Sequence, residues 1–238
     1  MGDTDFKELS IQRVTEADFD CVKKFLLIDF LHNEPLSRSI NLTAEDSNEL
    51  FNELINVGIA SSLSYILRAP DGKIAALRLA SILDRPDEVY PSEHNEMSTN
   101  KNATIDSNNR TSAKTMIFSP KAQIIADILH ELESKVWILI NPRLKRLLLW
   151  SIVSVHKDYT RRGLAEKMLC YNLDEAKQMG CQGFISEATA FKSQLLFKKL
   201  GYETIYEIKH SERLNDSGQQ IFRCDDSTNS IQLVFKPL

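Results

Sequence analysis

The stretch Trp150-Ser-Ile-Val-Ser-Val-His-Lys-Asp-Tyr-Thr-Arg-Arg-Gly-Leu-Ala165 decides the fold of this chain. Residues from Leu147 to Val155 are nearly all apolar, which predicts a central strand covered on both faces of a sheet. A compact turn follows, and a helix is predicted to begin at the small residues Gly163 and Ala165. Free backbone N–H groups and the helix dipole at such a start attract phosphate. The pattern alone leaves two interpretations open, an anion site or an ordinary turn with two solvated arginines.

The rest of the chain predicts an α/β protein. Downstream we expect a helix at 163–179, a strand at 183–187, a helix at 191–200, and antiparallel strands at 202–208 and 231–235. Upstream we expect a strand at 10–14, helices at 16–31, from Thr43 and at 120–132, and a hairpin of strands at 62–68 and 73–82. A polar stretch, Asp84 to Ser112, is predicted to be a mobile insertion reaching to about residue 115. We therefore expect one domain over residues 1–238.

Composition narrows the class of protein. The 238 residues carry 29 Lys and Arg against 33 Asp and Glu, a net charge of −4, which argues against a nucleic-acid partner. The four cysteines form neither a CxxC pair nor a zinc-type cluster with histidine, so we expect free thiols, a reducing compartment and no metal. There is no apolar signal segment, and no apolar run approaches the roughly 18 residues of a membrane span. We expect a cytoplasmic protein without a membrane partner.

The segment quoted first resembles motif A of the GNAT superfamily of N-acetyltransferases. In that motif Gln/Arg-x-x-Gly-x-Gly/Ala cradles the pyrophosphate of coenzyme A. Gly163 and Ala165 match the pattern, Thr160 stands in place of Gln or Arg, and neighbouring arginines can supply the charge. The resemblance implies acetyl-CoA as cosubstrate, with its pantetheine arm paired to the strand. The implied cofactor-binding residues are Val153, Ser154, Val155, Arg161, Arg162, Gly163, Leu164, Ala165 and Ser193.

A second segment, Lys198-Lys-Leu-Gly-Tyr202 preceded by Ser193-Gln-Leu-Leu-Phe197, is similar to motif B of the same superfamily. That motif is a helix ending in Lys-Leu-Gly-Phe/Tyr before the next strand. The two motifs together cover about residues 147–208. They imply the GNAT fold, a mixed and mostly antiparallel sheet with a central parallel strand pair, flanked by helices.

A third segment, Phe30-Leu-His-Asn-Glu-Pro-Leu36, contains a candidate base. Taken alone, Glu34 is a solvent-facing residue in a polar turn before a proline that ends the first helix. The segment resembles the Asp/Asn-Glu-Pro-Leu motif of the insect-type arylalkylamine N-acetyltransferases, in which the glutamate is the general base. This implies direct attack of an arylalkylamine such as dopamine, serotonin, octopamine or tyramine on acetyl-CoA in a ternary complex, with Glu34 as base.

The same resemblance assigns supporting roles to Thr189 and Ser193, which match two serines of that family. Phe30, Phe191 and Tyr202 are candidate walls of an aromatic pocket, although each is equally compatible with the core. His156 is an alternative base or relay.

Two other functions stay open. The acceptor can be a polyamine, an amino acid, a protein N-terminus or a lysine, or the chain can be a regulatory protein that binds CoA without catalysis. Neither motif contains a cysteine, so no acyl-cysteine intermediate is expected. We expect a monomer whose partner is a small amine.

Overall fold

The structure, a computed structural model, describes residues 9–86 and 118–238. Its strands are β1 (Ser10–Arg13), β2 (Tyr65–Arg68), β3 (Ile74–Asp84), β4 (Arg146–Val155), β5 (Gly183–Ala188), β6 (Glu203–Lys209) and β7 (Ser230–Pro237). They form a seven-stranded sheet in the order β1-β2-β3-β4-β5-β7-β6. All neighbours are antiparallel except β4 and β5, which are parallel. The expected mixed sheet with a central parallel pair is confirmed.

Helices cover the two faces of this sheet. They are α1 (Phe19–Phe25), α2 (Leu31–Asn33), α3 (Pro35–Ser39), α4 (Ala44–Ala60), α5 (Pro120–Leu139), α6 (Leu164–Cys170), α7 (Leu173–Gln178) and α8 (Phe191–Lys199). Residues of α1 to α5 pack into one apolar cluster with Ile185 of β5, whereas Leu169, Ala176 and Phe197 of α6 to α8 pack into another with Trp150. The sheet therefore separates two cores. The single domain over 1–238 remains a prediction, and all but the first three residues of the predicted insertion lie outside the described residues.

The first helix runs further than expected. A 3-10 turn (Glu16–Asp18), α1, a π-helical turn (Leu26–Phe30) and α2 follow one another without a break to Asn33. Glu34 then takes an extended conformation, with φ −79° and ψ 121°, as the residue before a proline prefers. Pro35 does not only end this helix, as predicted, because it is also the first residue of α3.

The predicted continuous helix over residues 163–179 is wrong. α6 ends at Cys170, Asn172 has a left-handed φ of 52°, and α7 begins at Leu173. Arg78 on β3, which is 1% exposed, lies at this break. Its guanidinium donates hydrogen bonds to the carbonyls of Met168 at 2.5 Å, Tyr171 at 2.9 Å and Leu63 at 3.0 Å. The bonds to Met168 and Tyr171 supply donors at the end of α6, where the helix no longer continues its own ladder of hydrogen bonds.

Arg78 is also sandwiched between aromatic rings. Its guanidinium carbon lies 4.8 Å from the ring centroid of Tyr65 and 4.8 Å from that of Trp150. Burial lowers the pKa of Arg78 to about 10, so the residue still carries its charge at neutral pH.

Two smaller boundaries also differ from the prediction. The strand expected at 62–68 begins only at Tyr65, since Ser64 turns its hydroxyl to the carbonyl of Gly58 at 2.7 Å. The helix expected at 120–132 continues to Leu139. The predicted start of α4 is confirmed, because Thr43 and Asp46 form a capping box.

Candidate functional site

The parallel strands β4 and β5 separate after a short paired stretch. Their register contains only Leu148 opposite Phe184 and Leu149 opposite Ile185, although β4 continues to Val155. The register between β3 and β4 also shifts at this point, which leaves one extra residue on β4. Such a bulge bends a strand. A gap therefore opens between β4 and β5 on the carboxyl side of both strands.

The end of β4 has one paired edge and one free edge. Val153, Ser154 and Val155 pair antiparallel with residues 78, 77 and 76 of β3. Within the described parts of the chain, no strand pairs with their other edge. A ligand with amide groups along its length can add to such an edge as an extended peptide does. The free strand edge thus lies at the three residues that were predicted to pair with the pantetheine arm.

The turn after β4 contains two residues with a left-handed backbone conformation. Arg161 has φ 62° and Gly163 has φ 71°, so both lie in the left-handed region. Among the residues that the structure describes, no acceptor receives the backbone N–H of Arg161, Gly163, Leu164 or Ala165. Consecutive N–H groups in turns of this type form an anion-binding concavity. Gly163 precedes α6 as its N-cap, which adds the helix start to the same place.

The predicted cofactor-binding residues in the turn differ in how far their side chains are exposed. Arg161 is exposed, whereas Leu164 is buried in a cluster with Tyr65 and so offers only its backbone. The guanidinium of Arg162 donates to the carbonyl of Asp158 at 3.4 Å and lies 5.3 Å from the ring of Tyr159. The positive charge that replaces the expected side chain at Thr160 can therefore come from Arg161.

Glu34 is held in place and is not a loose surface residue. It is partly buried and forms the N-cap of α3. One carboxylate oxygen, Oε1, accepts the backbone N–H of Leu36 at 3.0 Å, and Oε2 accepts that of Ser37 at 2.5 Å. Each oxygen has room for a further hydrogen bond. Glu34 therefore has at least the structural role of capping α3.

Charged residues from the long connection between β6 and β7 lie close to Glu34. Arg38, one turn along α3, donates to Asp225 through Nε at 3.0 Å and through Nη2. These hydrogen bonds raise the pKa of Arg38, and the charges of Glu34 and Asp226 raise it further. Burial raises the pKa of the Cys224 thiol to about 12, with Glu34 and Asp226 adding to the effect. The surroundings of Glu34 are therefore acidic.

The two residues assigned supporting roles lie where β5 leads into α8. Ser193 donates its hydroxyl to the carbonyl of Ala190 at 2.7 Å and accepts the Ala190 N–H at 3.2 Å, so it caps its own helix. Thr189 is partly buried just after β5. Asp226 accepts the N–H of Phe191 at 2.9 Å, which joins the start of α8 to the connection beside Glu34.

The three candidate residues for the wall of an aromatic pocket do not lie together in the structure. Phe30 packs edge-on against Phe51 at 5.9 Å on the α1–α5 side of the sheet, and Phe191 is 43% exposed. Tyr202 belongs instead to the core on the opposite face, where its hydroxyl accepts the Trp150 indole N–H at 2.8 Å. Tyr202 is therefore not a wall residue. His156 accepts the N–H of Asp158 on Nδ1 at 3.2 Å and caps the short 3-10 helix there.

Several residues near the site were missed by sequence reasoning. Asp29 is 4% exposed and falls seven residues after Val22, on the buried face of the first helix, where a charge interrupts the apolar pattern. That interruption was a usable signal. Glu187 on β5, on the same sheet face as Ile185, is also new. Burial, and then the charge of Glu133, raises the pKa of Glu187 to about 8.

The described residues contain neither a metal-binding cluster nor a membrane-spanning helix. No group of three or more His, Cys, Asp or Glu with metal-binding geometry occurs in residues 9–86 and 118–238. No helix in those ranges is both long and apolar enough to cross a bilayer.

Solved structures of other proteins superpose on nearly the full length of this chain. Arylalkylamine N-acetyltransferase 2 from Aedes aegypti superposes with a TM-score of 0.76 at 21% identity, covering 96% of this chain and 98% of that one. A mosquito arylalkylamine N-acetyltransferase like 5b gives 0.74 at 16%, covering 97% and 100%. A Drosophila melanogaster polyamine N-acetyltransferase that forms N-acetylagmatine gives 0.67 at 17%, with the same coverage. No protein-family model and no curated protein sequence matches. The chain has the fold of these acetyltransferases.

Proposed function

We propose that this chain is an acetyl-CoA-dependent N-acetyltransferase that acetylates the primary amine of an arylalkylamine, with Glu34 as general base. The observation that carries the proposal is the gap between β4 and β5, which ends at the turn with free N–H groups. The fold shared with the insect arylalkylamine N-acetyltransferases supports the same activity.

The residues around the gap fit acetyl-CoA. The turn from Thr160 to Ala165 would hold the pyrophosphate through its N–H groups and Arg161. The free edge at Val153, Ser154 and Val155 would pair with the amides of pantetheine. Bound in this way, acetyl-CoA supplies an activated thioester. An N–H on this edge would stabilise negative charge on the acetyl oxygen during attack.

Glu34 supplies the proton transfer that the amine needs. An alkylamine has a pKa of about 10 and is protonated at neutral pH, so it must lose a proton before its nitrogen can attack. The fixed carboxylate of Glu34 accepts this proton directly or through one water. The nitrogen then attacks the acetyl carbon, and the C–S bond breaks with its electron pair on sulfur. The extra proton of the attacking nitrogen passes to the thiolate, so that N-acetylamine and the CoA thiol leave. Thr189 and Ser193 would support the site from the start of α8.

A second candidate acceptor is an amine with another positive charge, such as a polyamine or agmatine. Three carboxylates, those of Glu34, Asp225 and Asp226, surround the single guanidinium of Arg38. A surplus of negative charge favours a dication over a monocation. The Drosophila melanogaster neighbour that forms N-acetylagmatine supports this alternative.

The two acceptor classes can be separated in one assay. The purified protein is incubated with acetyl-CoA and, in separate reactions, with tyramine, dopamine, serotonin, agmatine and putrescine, and release of CoA thiol is followed. Higher kcat/KM for the aromatic amines supports the arylalkylamine proposal, and higher kcat/KM for agmatine or putrescine supports the second candidate. CoA binding by calorimetry without turnover on any amine, amino acid or peptide would show a regulatory protein instead.

We propose a monomeric, cytoplasmic enzyme whose only partner is the amine. Size-exclusion chromatography with light scattering tests the first point, and a mass of two chains would contradict it.

A further inference from the structure

A carboxylate lies buried between the two halves of the proposed site. Asp29 is 4% exposed and belongs to the π-helical turn Leu26–Phe30. A buried carboxylate is costly unless hydrogen bonds replace its water. Single π-turns within helices occur frequently at functional sites. The proposed reaction as derived above does not use this residue.

The hydrogen bonds of Asp29 reach two separate segments. Oδ1 accepts the backbone N–H of Lys157 at 3.2 Å, across 128 residues of sequence. Oδ2 accepts the side-chain amide of Asn33 at 3.2 Å, and the same amide donates to the Asp29 carbonyl at 2.8 Å. The side chain of Asp29 thus connects the turn after β4 with the end of the first helix.

Both segments carry proposed site residues. Lys157 opens the short 3-10 helix Lys157–Tyr159, directly before the turn that would bind pyrophosphate, and its N–H has no partner within that helix. Asn33 directly precedes Glu34. The rings of Phe25 and His156 are also in contact, with centroids 6.4 Å apart, which keeps the helix and the turn together on the same side.

We propose that Asp29 is a positioning residue that fixes the base Glu34 relative to the cofactor-binding turn. The inference rests on the proposed function, since it assigns Asp29 a task in that reaction. A displacement of about 1 Å in such a site lowers turnover strongly even when each partner still binds. Asp29 is therefore expected to affect kcat more than the affinity for either substrate.

Paired substitutions test this role by kinetics. Asp29→Asn keeps an oxygen for the Lys157 N–H, but its amide then faces the amide of Asn33. We expect kcat to fall at least tenfold while KM for acetyl-CoA changes less than threefold. Asp20→Asn, at an exposed position of the same helix, is the control.

Hydrogen exchange tests the connection without turnover. In Asp29→Ala the Lys157 amide loses its acceptor, so its exchange should speed up at least tenfold, whereas Asp20→Ala should leave it unchanged. Unchanged exchange at Lys157 or wild-type kcat in Asp29→Asn would each overturn the inference. If the wild-type protein acetylates no amine, the proposed function fails on its own, and the exchange result still decides whether Asp29 joins the two segments.

Discussion

The Oε2 atom of Glu34 accepts the backbone N–H of Ser37 at 2.5 Å, so the proposed base is also the cap of the helix that follows it. Glu34→Gln keeps a side-chain oxygen for capping but cannot take up a proton. We expect kcat with the preferred amine to fall by about 10² or more, as for other general bases. The Kd for CoA, measured by calorimetry, should stay within twofold.

Glu45→Gln is the matched control, since Glu45 is exposed in the first turn of α4. It should leave both constants unchanged. Wild-type turnover in Glu34→Gln would remove Glu34 from the reaction and leave His156 as the next candidate.

Gly163→Ala tests the anion-binding turn. A Cβ at Gly163 would meet no atom within 4 Å, but φ is +71°, a conformation that costs an alanine about 1 kcal/mol. Gly218 has φ +73° and equally open surroundings, far along the chain from the turn. Both variants should lose a similar amount of stability in urea unfolding. Only Gly163→Ala should weaken CoA binding, by about tenfold; equal CoA affinity in the two variants would place the phosphates elsewhere.

Arg78→Met tests how much the buried guanidinium at the break after Cys170 stabilises the fold. The variant leaves the carbonyls of Leu63, Met168 and Tyr171 without their donor. Each buried acceptor left unpaired costs about 1–3 kcal/mol, so the free energy of unfolding should fall by ~3 kcal/mol or more.

Arg85→Met is the control for that experiment. Arg85 also donates to three main-chain carbonyls, those of Leu144, Trp137 and Asn141, but it is partly exposed. Water can replace its bonds, so the loss should be clearly smaller. If both variants lost the same free energy of unfolding in urea, burial of the hydrogen bonds of Arg78 would not add to their contribution to stability.

The raised pKa of Glu187 predicts that the stability of the fold depends on pH. Its pKa rises from 4.5 to about 8 in the folded state, so between these values the folded chain binds a proton that the unfolded chain has lost. The free energy of unfolding that depends on protonated Glu187 is fully present below pH 4.5 and is lost as the pH rises through 8. Glu187→Gln should therefore match wild type near pH 4.5 and exceed it at pH 9 by ~2 kcal/mol, since one pKa unit is about 1.4 kcal/mol and the side chain is partly open to solvent.

Thermal unfolding at both pH values measures this difference. Glu203→Gln, at an exposed position of β6, should show no gain at either pH. A gain in Glu187→Gln that is the same at pH 4.5 and pH 9 would show that the carboxyl does not titrate in this range.

The sequence predicted those helices and strands whose position depends on residues close to one another along the chain. The apolar run before the turn fixed β4, and the capping pair Thr43 and Asp46 fixed the start of α4. The position of Gly163 at the start of a helix followed from the same type of signal.

What could not be predicted depends on contacts between distant residues. The break after Cys170 is bonded by Arg78, 93 residues before Tyr171, whereas the pattern of residues 163–179 is that of an unbroken helix. The partner of Arg38 is Asp225, 187 residues away. For Asp29 the sequence showed only a charge on an apolar face, and no pattern indicated that Lys157 would be its partner.

The separation of β4 from β5 has a consequence for handling the protein. An unpaired strand edge is a template for another chain, and this fold carries one in the middle of its sheet. A ligand that occupies the edge also stabilises the folded state, by about 2.7 kcal/mol at a concentration a hundred times its Kd. The protein is therefore expected to aggregate more slowly during storage when CoA is present at a concentration well above its Kd.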